Sequence, residues 1–199
     1  QKIDLYPATT RVLILDEEDS DVTNKTLVLP LNDSTAMTLS AQNLPTLEGG
    51  ALQSVTWKSS NTNVLKVSAS GELTAVWNAT SGYYNTGTVT ITATAADGSA
   101  KSASVKVFVG YIVKELVFAD GLTVQGGKTL TLKPAFDPLN VTNKTLKWVI
   151  KASDTPYATI SSAGVLTAKK LTYSREITVY CYAQDGSEVF AEVKVNITM

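Results

Sequence analysis

Between Thr88 and Ala95 apolar and polar residues alternate, with Val89, Ile91, Ala93 and Ala95 on one parity and four threonines on the other. A period of two belongs to a strand with one buried face, because successive side chains point to opposite sides of a sheet. After Asp97-Gly98-Ser99 the alternation resumes through Ala103, Val105, Val107 and Val109. Asp-Gly offers a residue that tolerates positive φ followed by one that favours it, so the segment predicts a hairpin with a tight turn. No stretch sustains a 3.6-residue apolar period, and strand-like runs recur about every 8–12 residues. That spacing predicts an all-β sandwich and argues against an α/β fold.

The pattern occurs twice. TVTITATAADGSAKSASVKVFV, starting at Thr88, aligns without a gap on EITVYCYAQDGSEVFAEVKVNI, starting at Glu176, an offset of 88 residues. Asp97-Gly98-Ser99 then falls on Asp185-Gly186-Ser187. Upstream, Gly71-Glu72-Leu73-Thr74-Ala75 matches Gly164-Val165-Leu166-Thr167-Ala168, Trp57 matches Trp148, and MTLSAQNLP from Met37 lies opposite TLTLKPAFDP from Thr129. Each copy therefore predicts a Leu-rich strand, a proline turn, a Trp strand, a short Val or Ile strand, a Gly-started strand and the closing hairpin. A chain of 199 residues suits two sandwiches of about 100 residues each. The expected domains are 1–110 and 111–199, with strands at 105–109 and 112–118 leaving Gly110-Tyr111 as almost the whole linker. So short a connection predicts limited bending and an elongated pair. Trp57 and Trp148 are expected to fill the two cores.

These residues resemble the group 2 bacterial immunoglobulin-like domains of surface adhesins such as intimin and invasin relatives. In the second copy the resemblance rests on Pro138, Val141-Thr142-Asn143-Lys144, Trp148, the Gly164 motif and the strands around Ile177 and Val193. In the first it rests on Pro45, Trp57-Lys58-Ser59-Ser60-Asn61, the Gly71 motif, Thr90-Ile91-Thr92-Ala93 and the strand around Val105. It implies tandem immunoglobulin-like β-sandwiches acting as a non-catalytic structural or adhesion module, extracellular on a bacterial cell surface. The first copy departs in two places: residues 16–25 between its first two strands, and residues 76–87, for which the second copy has only 169–175. Loops on a rigid scaffold commonly carry function, so copy-specific roles are expected there.

Composition narrows the chemistry. With 18% charged residues and a net charge of −1, the chain lacks the positive field that nucleic acid or anionic lipid requires. No apolar run approaches the roughly 20 residues that span a bilayer. Gln1 begins in polar sequence with no charged-then-apolar leader, so the expectation is a chain from which any signal or lipid anchor has been removed. There is no histidine, which removes Ser-His-Asp and Cys-His catalysis and the common zinc sites. No catalytic, cofactor or metal residue is assigned, no cofactor is expected, and the chain is expected to be monomeric. Cys181, the single cysteine, lies on the apolar parity of its strand and predicts a small core residue with no internal disulfide. The run Asp16-Glu17-Glu18-Asp19-Ser20-Asp21 could gather oxygen ligands for Ca²⁺, but it lacks the glycine and distal Glu of a helix-loop-helix site and reads first as a solvated loop.

Trp77, Tyr83 and Tyr84 stand apart. They fall in a Gly-, Ser- and Asn-rich segment that the second copy lacks, and which therefore reads as a loop that the shared fold does not need. Aromatic residues with a polar tip are enriched where proteins meet partners. These three are the candidate ligand contacts of the alternative reading, a carbohydrate- or receptor-binding module directed at a surface glycan or a host protein. The competing expectation is that they fold back over the sandwich end as a lid on the core or pack against the second domain.

Overall fold

The computed structural model describes residues 8–45 and 54–199. Their contacts separate into two units, Gln1–Gly110 and Tyr111–Met199. In the first, the strands are β1 (Arg11–Leu15), β2 (Thr26–Pro30), β3 (Ala36–Thr38), β4 (Ser40–Leu44), β5 (Val55–Ser59), β6 (Leu65–Val67), β7 (Glu72–Ala75), β8 (Trp77–Asn78), β9 (Tyr83–Tyr84), β10 (Gly87–Ala95) and β11 (Ser102–Gly110). One layer is the four-stranded sheet β2-β11-β10-β5. The other combines β3-β7-β6 with the β1-β4 pair, joined because β3 and β4 are one line of chain parted at Leu39. Pairing is antiparallel except that β2 runs parallel to β11, Thr26 opposite Lys106 and Pro30 opposite Gly110.

Alternation explains the core. Val89, Ile91 and Ala93 of β10 and Val107 and Val109 of β11 are fully buried, as are Leu65 and Leu73 from the facing layer. The threonines between them are half-buried or exposed.

The second unit repeats this plan with β12 (Glu115–Val117), β13 (Thr123–Gln125), β14 (Thr129–Thr131), β15 (Ala135–Asp137), β16 (Leu146–Ile150), β17 (Ala158–Ile160), β18 (Val165–Ala168), β19 (Arg175–Ala183) and β20 (Phe190–Thr198). Its sheets are β13-β20-β19-β16, β14-β18-β17 and β12-β15, the pairings of the first unit strand for strand, including the parallel pair β13-β20. The fold is two all-β, immunoglobulin-like sandwiches in sequence, and the β8-β9 hairpin has no counterpart in the second.

Several sequence expectations are corrected. The Leu-rich strand of each copy is two strands, because the chain changes partner midway: β3 pairs with β7 while β4 pairs with β1. The strand expected at 112–118 is only Glu115–Val117. The hairpin turns are not tight: Asp97 does not take positive φ, and Gly98 (82°) and Ala100 (58°) do so within a six-residue connection, repeated at Gly186 (87°) and Glu188 (60°). The turn after Pro45 runs into residues 46–53, which with Gln1 lie outside the described residues.

The tryptophans do not fill the cores; both are half-buried. They sit on β5 and β16, the edge strands of the four-stranded sheets. Trp148 packs against both apolar clusters of its unit and meets Phe118 edge-on at 5.9 Å. What covers each ring is the glycine of the Gly-x-x-Thr-Ala motif. Gly164, at φ +77°, lies so close that a Cβ would stand 2.8 Å from Trp148 Cζ2. At Gly71 (φ +89°) a Cβ would collide with the Leu39 carbonyl and approach the Trp57 ring. Glycine is needed there for its backbone and for its missing side chain.

Gly164→Ala should therefore destabilise the second unit by about 2 kcal/mol or more, from left-handed strain plus the clash. Gly121→Ala, at φ +67° with open space around it, should cost only the strain. Thermal unfolding of the two variants checks this, and equal losses would contradict the account.

Candidate functional site

Residues 76–87, expected to be a loop, form a two-rung hairpin in which Trp77 pairs with Tyr84 and Asn78 with Tyr83. Asn78 shapes its turn: the side-chain Oδ1 accepts the Thr80 and Ser81 amides (3.0 and 3.3 Å), and its carbonyl accepts the Gly82 amide at 2.9 Å. Asn78 Nδ2 donates to Asn85 Oδ1 (3.1 Å), and Asn85 Nδ2 donates to the Asn63 carbonyl (2.8 Å), which ties the hairpin to the body of the first unit. Trp77 and Tyr84, directly opposite, share one face and contact edge to face at 5.1 Å and 79°. Tyr83, next to Tyr84 in the strand, points to the other face. The hairpin thus brings two of the three candidate residues together and separates the third. Trp77 is 53% and Tyr83 57% exposed, so neither forms a lid on the core, while Tyr84 is half-buried beneath Trp77.

Three carboxylates of the acidic run accept backbone amides. Asp16 Oδ1 accepts the Glu18 and Ser20 amides, Asp21 Oδ1 accepts the Thr23 amide, and Glu17 Oε1 reaches across to the Thr38 amide on β3 at 2.9 Å. Hydrogen bonds from Thr23, with weaker help from Arg11 and Lys25, hold the Asp21 carboxyl below its ordinary value. Among the described residues no three acidic, cysteine or histidine side chains are grouped to hold a metal ion. Cys181 is fully buried on β19, and desolvation pushes its thiol up to about 12, which makes it a poor nucleophile. Tyr180 and Tyr182 project from the opposite face, where Tyr182 stacks on its cross-strand partner Phe190 at 5.5 Å.

Two groups of polar residues were not legible as sites. The turn aspartates are staples: Asp97 Oδ1 accepts the Ser99 amide (2.9 Å) and Oδ2 the Thr9 amide (2.7 Å), tying the closing hairpin to the opening segment of the same unit. Asp185 does the same with Ser187 (3.0 Å) and Val113 (2.6 Å). The bonds from Ser99 and then Thr9 hold the Asp97 carboxyl far below the usual range. In the second unit the buried Asp154 accepts the Thr178 amide at 2.9 Å and lies 3.8 Å from Arg175, whose guanidinium rests over the Tyr157 ring. Its partners are backbone and neighbouring side chains, so it braces β19 where that strand begins.

No family model matches the chain. It is 31% identical over 156 residues to an uncharacterized protein of Clostridium acetobutylicum; the match covers 77% of this chain and 15% of that protein's length. Among solved structures it is similar to Drosophila OTK extracellular domains 3–5 (18% identity, 89% of this chain and 59% of that one, TM-score 0.43). It is also similar to the S-layer protein SbsC domains 4 and 5 (17%, 97% and 100%, TM-score 0.35) and to protocadherin gamma B7 extracellular cadherin domains 1–4 (15%, 94% and 50%, TM-score 0.37).

Because the folded-state value of Asp97 is depressed, the stability it supplies is present above the unfolded carboxylate value of about 4 and is lost as pH falls from there through the folded value. Asp97→Asn should melt earlier than the parent at pH 6, with the gap narrowing towards pH 2. A gap independent of pH would show that Asp97 does not act through its charge.

Proposed function

We propose that the chain is a non-catalytic structural module of an extracellular bacterial surface protein, two sandwiches in series that hold other parts of the protein away from the surface and withstand tension. The observation that carries this reading is the parallel pairing of β2 with β11 and of β13 with β20. In each unit these strands lie towards the two ends of the chain segment, and a pull on those ends loads their hydrogen bonds in shear, all at once. Peeling an antiparallel hairpin breaks its bonds one at a time. The aspartate staples support the reading, since they fasten the opening segment of each unit to its closing hairpin. The bacterial relative supports it too, being a long protein of which the match spans a small part.

Single-molecule stretching of the whole chain from its ends tests the proposal. It should show two unfolding events, the first unit yielding at the higher force because its parallel pair spans five residue pairs against three. Both should exceed the force needed when a handle in the 96–101 connection peels β11 from β10. End-to-end rupture no stronger than that peeling would sink the tension-bearing role.

A second reading is favoured by one observation, the exposure of Trp77 and Tyr83 on a hairpin that the second unit lacks. There the first unit would contact a surface glycan or host protein, with Trp77 and Tyr84 as the anchor pair. Replacing Trp77, Tyr83 and Tyr84 by alanine should then abolish glycan or host-cell binding without lowering the melting temperature. A parent protein that binds neither leaves the spacer role alone.

A further inference from the structure

The first unit has a cleft of about 410 Å³ between β2 and β3, at the side of the sandwich where the chain leaves β1 in one layer to enter β2 in the other. Leu27, Leu29, Met37 and Leu39 give it an apolar floor. Asp16, Glu17 and Glu18, from the insert at residues 16–25, form its rim, and no Lys or Arg is among its lining residues. The equivalent crossing in the second unit, residues 118–122, carries a single acid, Asp120.

The two strand edges facing this cleft differ. On β3 the outward amides are already bonded, Ala36 to Ser34 Oγ at 3.2 Å and Thr38 to Glu17 Oε1 at 2.9 Å, which closes that edge. On β2 the bonds Lys106 N to Lys25 O and Leu31 N to Gly110 O set the alternation of the ladder. Leu27 and Leu29 therefore face β11, while Thr26 and Val28 turn their amides and carbonyls outward. Those outward groups meet no partner among the described residues. Pro30, next in that outward row, has no N–H and ends the free edge.

We propose that this cleft docks an extended peptide segment carrying Lys or Arg, which pairs with the free edge of β2 at Thr26 and Val28 and sets its basic side chains against Asp16, Glu17 and Glu18. Main-chain bonds to an exposed edge supply affinity, and the alternate side chains of the added strand supply specificity. The apolar floor receives one parity of the peptide and the acidic rim the other. The occupant is basic because the rim is acidic throughout, and it is extended because what the cleft offers is a strand edge.

The test titrates the whole chain with a synthetic extended octapeptide of alternating Lys and Val, and with the same peptide carrying Glu for Lys, while backbone amide NMR shifts are followed. The Lys peptide should shift the Thr26 and Val28 amides, and the Glu peptide should not. Glu18→Lys, which reverses an exposed charge, should weaken binding about fivefold, and added salt should weaken it further. Val28→Pro removes an outward donor from an edge position and should abolish binding; its melting curve shows whether the unit remains folded. Undisturbed β2 amides at millimolar peptide, equal binding of the Glu peptide, or unchanged affinity in Glu18→Lys would overturn the proposal. Self-association through β2 in the absence of peptide would overturn the assigned occupant in favour of a second copy of the chain.

Discussion

Each unit depends on burying one face of its two longest strands. Val89, Ile91 and Ala93 with Val105, Val107 and Val109 in the first unit, and Ile177, Val179 and Cys181 with Val193, Val195 and Ile197 in the second, are at most 2% exposed. Fully burying an aliphatic side chain contributes about 1.5–3 kcal/mol, against a net domain stability of about 5–15 kcal/mol, so a few of these residues decide whether the unit folds. The same face fixes the register, since a slip of one residue would turn the whole set towards water. The remaining strands are arranged around this hairpin: β2 and β5 pair along its edges, and Leu65 and Leu73 close the facing layer. With Cys181 the single cysteine, no disulfide reinforces this packing.

The closing hairpins were legible in the sequence because a period of two over eight residues leaves little room for another structure. The repeat was legible for the same reason, and it matched the Trp strands, the Gly-started strands and the closing hairpins of the two copies. It merged β3 with β4 and β14 with β15, however, and passed over β13. Tertiary reach was not. Asp97 reads locally as a turn residue, and nothing near it shows that its second oxygen accepts an amide 88 residues away. Trp57 and Trp148 were recognisable as strand positions, but whether a strand lies at the edge of a sheet depends on partners distant in sequence. Hence their half-burial was missed, and with it the role of Gly71 and Gly164 in covering the rings. The Trp77 hairpin was misread as a loop because two-residue strands carry no periodicity, while its Gly, Ser and Asn content is that of a turn. The β2 edge could not be seen at all, since an unpaired edge is a property of the assembled sheet.

What the two units share is scaffold, and what they do not share lies at its margins. The acidic insert at residues 16–25 and the β8-β9 hairpin belong to the first unit alone. The stacked Tyr182 and Phe190 belong to the second, where the first unit has Thr94 and Ser102 on the equivalent rung. The exposed acidic side chains of the insert, the exposed Trp77 and Tyr83, and the Tyr182–Phe190 stack lie off the buried hairpin face and can vary. Val22 of the insert, by contrast, is buried, and its Asn24 and Lys25 bond β11 at Ser104 and Lys106. A glycine pressed on a tryptophan ring and an aspartate reaching back to the opening segment occur in both units, as expected of parts that the architecture itself requires.

Native-state hydrogen exchange measures most directly whether the buried hairpin face holds each unit together. The amides of β10 and β11, and separately those of β19 and β20, should exchange slowest, through global unfolding of their own unit, while β1 and β12 open through smaller fluctuations. Central-hairpin amides exchanging as fast as those of β1 and β12 would contradict the account.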